Sequence, residues 1–191
     1  MIDSVGRHPA VKSVRLVGSR AEGRETTLSD WDFAVDTDDF PAVAEALHSL
    51  LEPLAPLSQL WDPLGVRRCW MAMLRGPVKL DLLFDEPQAE SPPWVSGPET
   101  LEPIDRHFWD WTLWLASKRA AGKDELVASE LAKLHRHLLA PLGIERPPAS
   151  IGEAIDAYRA ARAAAEERFG VRVPRELEAE VAPVLEAVTK S

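Results

Sequence analysis

Asp30 and Asp32, in Ser29-Asp30-Trp31-Asp32-Phe33-Ala34-Val35, and Asp81, in Val78-Lys79-Leu80-Asp81-Leu82-Leu83-Phe84, are the side chains best suited to chemistry in this chain. All three are carboxylates, with no histidine or cysteine nearby. Such an oxygen-only donor set suits Mg²⁺ or Mn²⁺ and disfavours Zn²⁺. Ions held there can activate an attacking oxygen and stabilise a leaving phosphate. Gly18-Ser19 supplies a complementary feature. A glycine turn lets backbone approach a ligand closely, and the N–H groups of a turn that opens a helix favour an anion such as a triphosphate. Aspartate is depleted in strands, and three carboxylates on one face repel unless a cation sits between them. A metal site therefore explains the pattern better than solubility does.

These residues need particular elements to bring them together. Val14 to Val17 reads as a short strand that stops at Gly18. Alternation over 29–35 makes a strand with Asp30 and Asp32 on one face, their Cα atoms about 6.5 Å apart, and Trp31 and Phe33 on the other. In the run 78–84 Lys79 and Asp81 share a face. If this strand lies beside the first, Asp81 joins the pair, and Lys79 serves as a counterion that keeps the carboxylate ionised. Val66 to Leu74 and Val78 to Phe84 flank Arg75-Gly76-Pro77, a hairpin signal. Asp3 to His8 forms a short leading helix, and Pro41 to Leu51 a helix with proline in its first turn and Leu47, Leu50 and Leu51 toward the sheet. The stretch from Pro53 to Pro63 reads as a proline-punctuated connection.

Beyond this half the pattern changes. Pro87, Pro92, Pro93, Pro98 and Pro103 mark a linker, and the rest is helical. Asp105 is positioned to cap a helix running through Phe108, Trp111 and Leu115 to Lys118. Asp124 begins a second helix, with Val127, Leu131, Leu134 and Leu138 in one stripe. Ser150-Ile151-Gly152-Glu153 is a capping box opening a third, which ends near Gly170. Pro174 starts a fourth, in which Pro183 predicts a kink or a break. The expected fold class is α+β: a small mixed sheet backed by helices over 1–86, a proline-rich linker over 87–103 and a helical bundle over 104–191.

The formal net charge of -9 argues against tracking a nucleic-acid backbone and suits a cationic small molecule. No apolar run reaches the length of a membrane span, and the start lacks a basic segment followed by an apolar core, so a cytoplasmic protein with no membrane partner is expected. The lone Cys69 excludes an intrachain disulfide and, within an apolar run, reads as a buried, inert thiol.

Gly18-Ser19-Arg20-Ala21-Glu22-Gly23-Arg24 followed by Ser29-Asp30-Trp31-Asp32-Phe33-Ala34-Val35 resembles the signature of the DNA polymerase beta-like nucleotidyltransferase superfamily. More narrowly, it is similar to the minimal nucleotidyltransferases and to antibiotic nucleotidyltransferases of the kanamycin and lincosamide type. The resemblance covers about Val11 to Asp85. It implies a phosphate-binding turn at Gly18 and Ser19 and a metal pair on Asp30 and Asp32, with Asp81 as the third carboxylate. It implies two Mg²⁺ ions, Mn²⁺ being the alternative, and an NTP donor, ATP first, whose AMP passes to a small acceptor hydroxyl of an aminoglycoside- or lincosamide-like antibiotic. Arg20, Arg24 and Ser29 are further candidates for nucleotide contacts. Lys118 is a candidate to reach the triphosphate, as a lysine of the helical part does in several relatives. Glu22 departs from the basic residue common at that position. Two other readings stand beside this one: an antitoxin of the minimal-nucleotidyltransferase type that modifies or binds a partner protein, and a noncatalytic nucleotide-binding module. The chain is expected to be a monomer or a homodimer.

Other residues have structural explanations. Trp109, Trp111 and Trp114 could stack on a base, but their spacing favours packing. His135 and His137, two apart, fall on different helix faces and read as surface or cap-adjacent residues rather than ligands. Lys118, Arg119 and Lys123 complement a helix C-terminus. The general base is left open among Asp81, Asp105 and Asp110.

Overall fold

The first half of the chain builds a five-stranded mixed sheet in the order β1-β2-β5-β4-β3. Its strands are β1 (Val11–Val17), β2 (Trp31–Thr37), β3 (Ser58–Trp61), β4 (Arg67–Leu74) and β5 (Val78–Pro87). The structure is a computed structural model and describes residues 2–189. Strand β1 runs antiparallel to β2, β2 parallel to β5, and β4 antiparallel to both β5 and β3. The parallel β2–β5 pair requires a long connection. Helix α3 (Phe40–Leu51), β3 and β4 occupy it.

Helices α1 (Asp3–Gly6) and α3 back one face of this sheet. The Asp39 side chain accepts a hydrogen bond from the Ala42 N–H at 3.1 Å, and Pro41 sits in the first turn, where its missing N–H leaves no bond unmade. Val43, Leu47 and Leu51 of α3 then pack with Val5 of α1 and with Val35, Trp70, Leu80, Leu82 and Phe84 of the sheet. Each such side chain, fully buried, stabilises the fold by about 1.5–3 kcal/mol. The alternation that turns these residues inward leaves Asp32, Lys79 and Asp81 on the other face. The expected hairpin is present, its arms joined through Arg75-Gly76-Pro77.

Two sequence expectations in this half need correction. The connection over 53–63 contains strand β3, whose Ser58 to Trp61 pair with Met73 to Trp70. Prolines on both sides hide a four-residue edge strand, a place where neighbouring prolines are tolerated. Strand β5 also runs to Pro87, past the expected strand end at Phe84.

The chain divides into two compact units between Ser91 and Pro92. In the second, a helical bundle follows the sheet in sequence: α4 (Leu101–Ala120), α5 (Asp124–Leu134), α6 (Ile151–Phe169) and α7 (Glu176–Thr189). Helix α4 packs against the other three. Residues of the expected linker are fastened here: the Trp94 N–H donates to the His137 carbonyl at 3.1 Å, and Arg168 Nη2 to Ser96 Oγ at 3.0 Å. Ser150 Oγ accepts from the Glu153 N–H at 3.1 Å, the first half of the expected capping box, while Glu153 Oε2 accepts from the Ala149 N–H at 2.8 Å.

Helix α4 begins at Leu101, so Asp105 is no cap. Pro103 fits a first helical turn, which lets the helix start before the aspartate. Asp105 is buried and its Oδ1 accepts from Tyr158 Oη at 2.6 Å, Arg162 Nη1 at 2.7 Å and Trp109 Nε1 at 3.2 Å. Burial pushes the Asp105 carboxyl up despite these donors, and burial together with the Asp105 charge pushes the Tyr158 hydroxyl well up. Trp109 is wholly buried against Phe108 and Tyr158, whose rings stack with centroids 3.9 Å apart, and Trp111 Nε1 donates to Glu130 Oε2 at 3.2 Å. Trp109 and Trp111 thus contribute packing within this unit.

His137 also differs from expectation. It is buried in a π-helical turn (His135–Leu139) that continues α5, and its Nε2 accepts from Arg136 Nη2 at 2.9 Å. His135 Nε2 bonds the Ile144 carbonyl at 2.8 Å. Helix α7 continues through Pro183 without a break, held by the buried Val181, Ala182 and Leu185. The expected helical half ends at Ser191, and its last two positions lie outside the described residues. Among the described residues no helix is long and apolar enough to cross a membrane.

Candidate metal centre

Strand register puts the carboxylates together. In β2, Asp32 is level with Asp81 of the parallel β5 and with Val17, the last residue of the antiparallel β1. Asp30 immediately precedes β2 and, two residues from Asp32, projects to the same face. One oxygen from each of Asp30, Asp32 and Asp81 lies within 4.8 Å of the others. Across an octahedral Mg²⁺ shell with bonds of about 2.1 Å, opposite oxygens stand about 4.2 Å apart. The donor set and its spacing therefore fit a hard divalent cation.

Burial strengthens the case. Asp30 is 4% exposed and Asp81 8%, while Asp32 is half-buried. Met71 of β4, itself buried, is level with Asp81 on its other side. Carboxylates in such surroundings carry a large desolvation cost, which paired charge must offset. Lys79 Nζ, on the same face of β5 and 5% exposed, bonds Asp81 Oδ1, the pairing expected from the sequence. It offsets part of the negative charge of the cluster, and a divalent cation would offset more.

Gly18 closes the centre from the side of β1. It has φ +71°, and a Cβ built on it would stand 2.3 Å from Asp32 Oδ2. Any side chain here would meet the carboxylate, so only glycine lets the chain leave β1 past Asp32. Ser19 follows in the one-turn helix α2 (Gly18–Ala21) and is half-buried.

The other residues expected at the nucleotide have the following surroundings. Arg20 donates from Nε and Nη2 to the Ser29 carbonyl at 3.1 and 2.8 Å, and from Nε to the Asp30 carbonyl at 3.1 Å. Its Cζ lies 4.3 Å from the centroid of the Trp31 ring. Ser29 Oγ accepts from the Thr26 N–H at 2.9 Å, bracing the loop that leads into β2. Arg24 is exposed and pairs with Glu22. Lys118 lies in the last turn of α4 in the helical unit, its Nζ 4.9 Å from the Trp114 ring centroid. The Arg20–Trp31 contact was not foreseeable from spacing; the only signal for it in the sequence is an arginine and an aromatic on opposite sides of a short loop.

No family model matches the sequence, and no curated protein matches it. Among solved structures, a crystal structure of an aminoglycoside 6-adenyltransferase from Bacillus subtilis is similar at 12% identity and a TM-score of 0.37, over 99% of this chain and 95% of that one. At that identity and score the likeness establishes neither a shared family nor a shared activity.

Proposed function

We propose that this chain is a metal-dependent nucleotidyltransferase that moves a nucleoside monophosphate, AMP first, from an NTP to a hydroxyl of a small acceptor, releasing pyrophosphate. The convergence of Asp30, Asp32 and Asp81 beside the Gly18 turn carries this reading. Together with the motif resemblance over 18–35 it selects phosphoryl chemistry among the reactions that a carboxylate cluster can serve.

Asp30, Asp32 and Asp81 would hold Mg²⁺, two ions in the full complex, with Mn²⁺ as a substitute. Held by these carboxylates, the metal would supply charge neutralisation for the triphosphate and acidification of the attacking hydroxyl. The protein's own groups do the rest. Gly18 and Ser19 would present backbone N–H groups to the phosphates. Lys79 holds Asp81 in place through its Oδ1. Asp81, one of the three clustered carboxylates, is the proposed acceptor for the hydroxyl proton. Arg24 is the cation proposed to meet the phosphates.

For the acceptor, the net charge of -9 favours a cationic molecule, and an aminoglycoside meets that description. Incubation with Mg²⁺, each of the four NTPs and a panel of aminoglycosides and lincosamides, followed by mass spectrometry, tests reaction and acceptor together. The expected product is an acceptor heavier by one nucleotide. Tight NTP binding with no product on any acceptor would favour a noncatalytic module instead.

A further inference from the structure

We infer that Arg20 is a positioning residue for the metal centre, acting through the backbone of Asp30, and is not a phosphate ligand. This rests on the proposed metal centre.

The guanidinium spans the Ser29 and Asp30 carbonyls with three hydrogen bonds between 2.8 and 3.1 Å. It lies over Trp31, whose ring belongs to the core-facing side of β2. The aspartate side chains project to the other side, so a guanidinium on Trp31 is turned away from them. Arg20 stands in α2, immediately after the Gly18 turn, and its acceptors stand at the entry to β2. It therefore fastens the turn to the strand across the loop 22–29. Within that loop the Thr26 and Ser29 groups bond one another, the Thr26 N–H to Ser29 Oγ at 2.9 Å and the Ser29 N–H to the Thr26 carbonyl at 3.1 Å. Arg20 is the side chain that carries this braced loop onto Asp30.

Asp30 precedes Trp31, the first ladder residue of β2, and Arg20 adds a hydrogen bond to its carbonyl at this end of the strand. A rotation of its peptide would swing its carboxylate out of the cluster. The arginine fork is well suited to prevent this, being planar, presenting parallel donors and stacking on an aromatic face. Lysine keeps the charge but cannot bridge two carbonyls from a stacked plane. Groups that orient metal ligands commonly change metal affinity about 10–100-fold when removed.

The test is Mn²⁺ binding without nucleotide, followed by electron paramagnetic resonance, in the wild type, Arg20→Lys, Arg20→Gln and Trp31→Leu, with thermal unfolding measured on each. Weakening of Mn²⁺ binding by about 10-fold or more in both Arg20 variants is expected while they remain folded at the assay temperature. Trp31→Leu, which leaves both carbonyl acceptors, is expected to weaken it less. The unfolding curves separate this effect from general destabilisation. A phosphate ligand would behave differently: Mn²⁺ affinity without nucleotide would be unchanged, the KM for NTP would rise, and lysine would restore it. That result would overturn the inference and leave the metal centre standing. A wild-type protein that binds no Mn²⁺ would remove the centre and the inference together.

Discussion

Gly18 and Asp32 stand so close that the space a Cβ would need at position 18 is taken by the Asp32 carboxylate, with Oδ2 2.3 Å away. The Gly18 turn and the strand that carries Asp32 are thus a single steric unit.

Gly18→Ala tests this relationship. The added methyl must displace Asp32 and also sit at φ +71°, where a side chain costs about 1–3 kcal/mol. The expected outcome is a modest fall in melting temperature with a loss of about 10–100-fold in Mn²⁺ affinity, read by calorimetric titration. Unchanged affinity would show that the turn and the carboxylate are independent.

Lys79→Met tests charge balance. It leaves the buried Asp81 carboxylate without the partner it has in the wild type, a change that costs about 3–5 kcal/mol. Mg²⁺ should restore part of that, because a ligand that binds only the folded state stabilises it. Thermal unfolding with and without Mg²⁺ should show a larger metal-induced shift in the variant than in the wild type. Equal shifts would mean that Lys79 and the metal do not share Asp81.

The helical unit has its own prediction. Tyr158→Phe removes a 2.6 Å bond to the buried Asp105 and should cost about 1–3 kcal/mol by denaturant unfolding, with no change in Mn²⁺ affinity. A loss of metal binding would contradict the structural role assigned to Asp105.

Stability of that unit should fall on acidification. Burial pushes Glu166 and Glu178 up, but Arg175 and the Val173 N–H outweigh it at Glu166, and Arg162 and Arg159 at Glu178; both carboxyls end below the ordinary value of 4.5. Carboxyls lowered on folding stabilise the fold fully above that value, and the contribution is lost as pH falls through the folded pKa. Asp105, raised on folding, works in the opposite sense and offsets part of the loss. Unfolding free energy should therefore decline below about pH 4.5, and Glu178→Gln should flatten the decline. An unchanged slope in that variant would rule out Glu178 as a source.

Legibility in the sequence followed the range of the interaction. Asp30 and Asp32 were readable because strand alternation is local, and Gly18 because a turn is local. Asp81 required a pairing that sequence leaves conditional; the observed β2–β5 register supplies it. Strand β3 was hidden by flanking prolines, and Asp105 looked like a cap because its partners Tyr158 and Arg162 are far along the chain. For Arg20, charge suggested phosphate, whereas its carbonyl acceptors depend on how the loop 22–29 folds back. Backbone acceptors have no sequence signature, so side chains devoted to them are the hardest to read.

Metal-dependent nucleotidyl transfer is tested by pyrophosphate release from NTP in the presence of Mg²⁺ and a hydroxylated cationic acceptor, in the wild type and in Asp32→Asn, with Mn²⁺ binding measured on both. Release by the wild type should stop on chelation, and Asp32→Asn should lose both release and Mn²⁺ binding while the fold is retained. Full turnover in Asp32→Asn, or wild-type turnover indifferent to chelation, would contradict metal-dependent transfer.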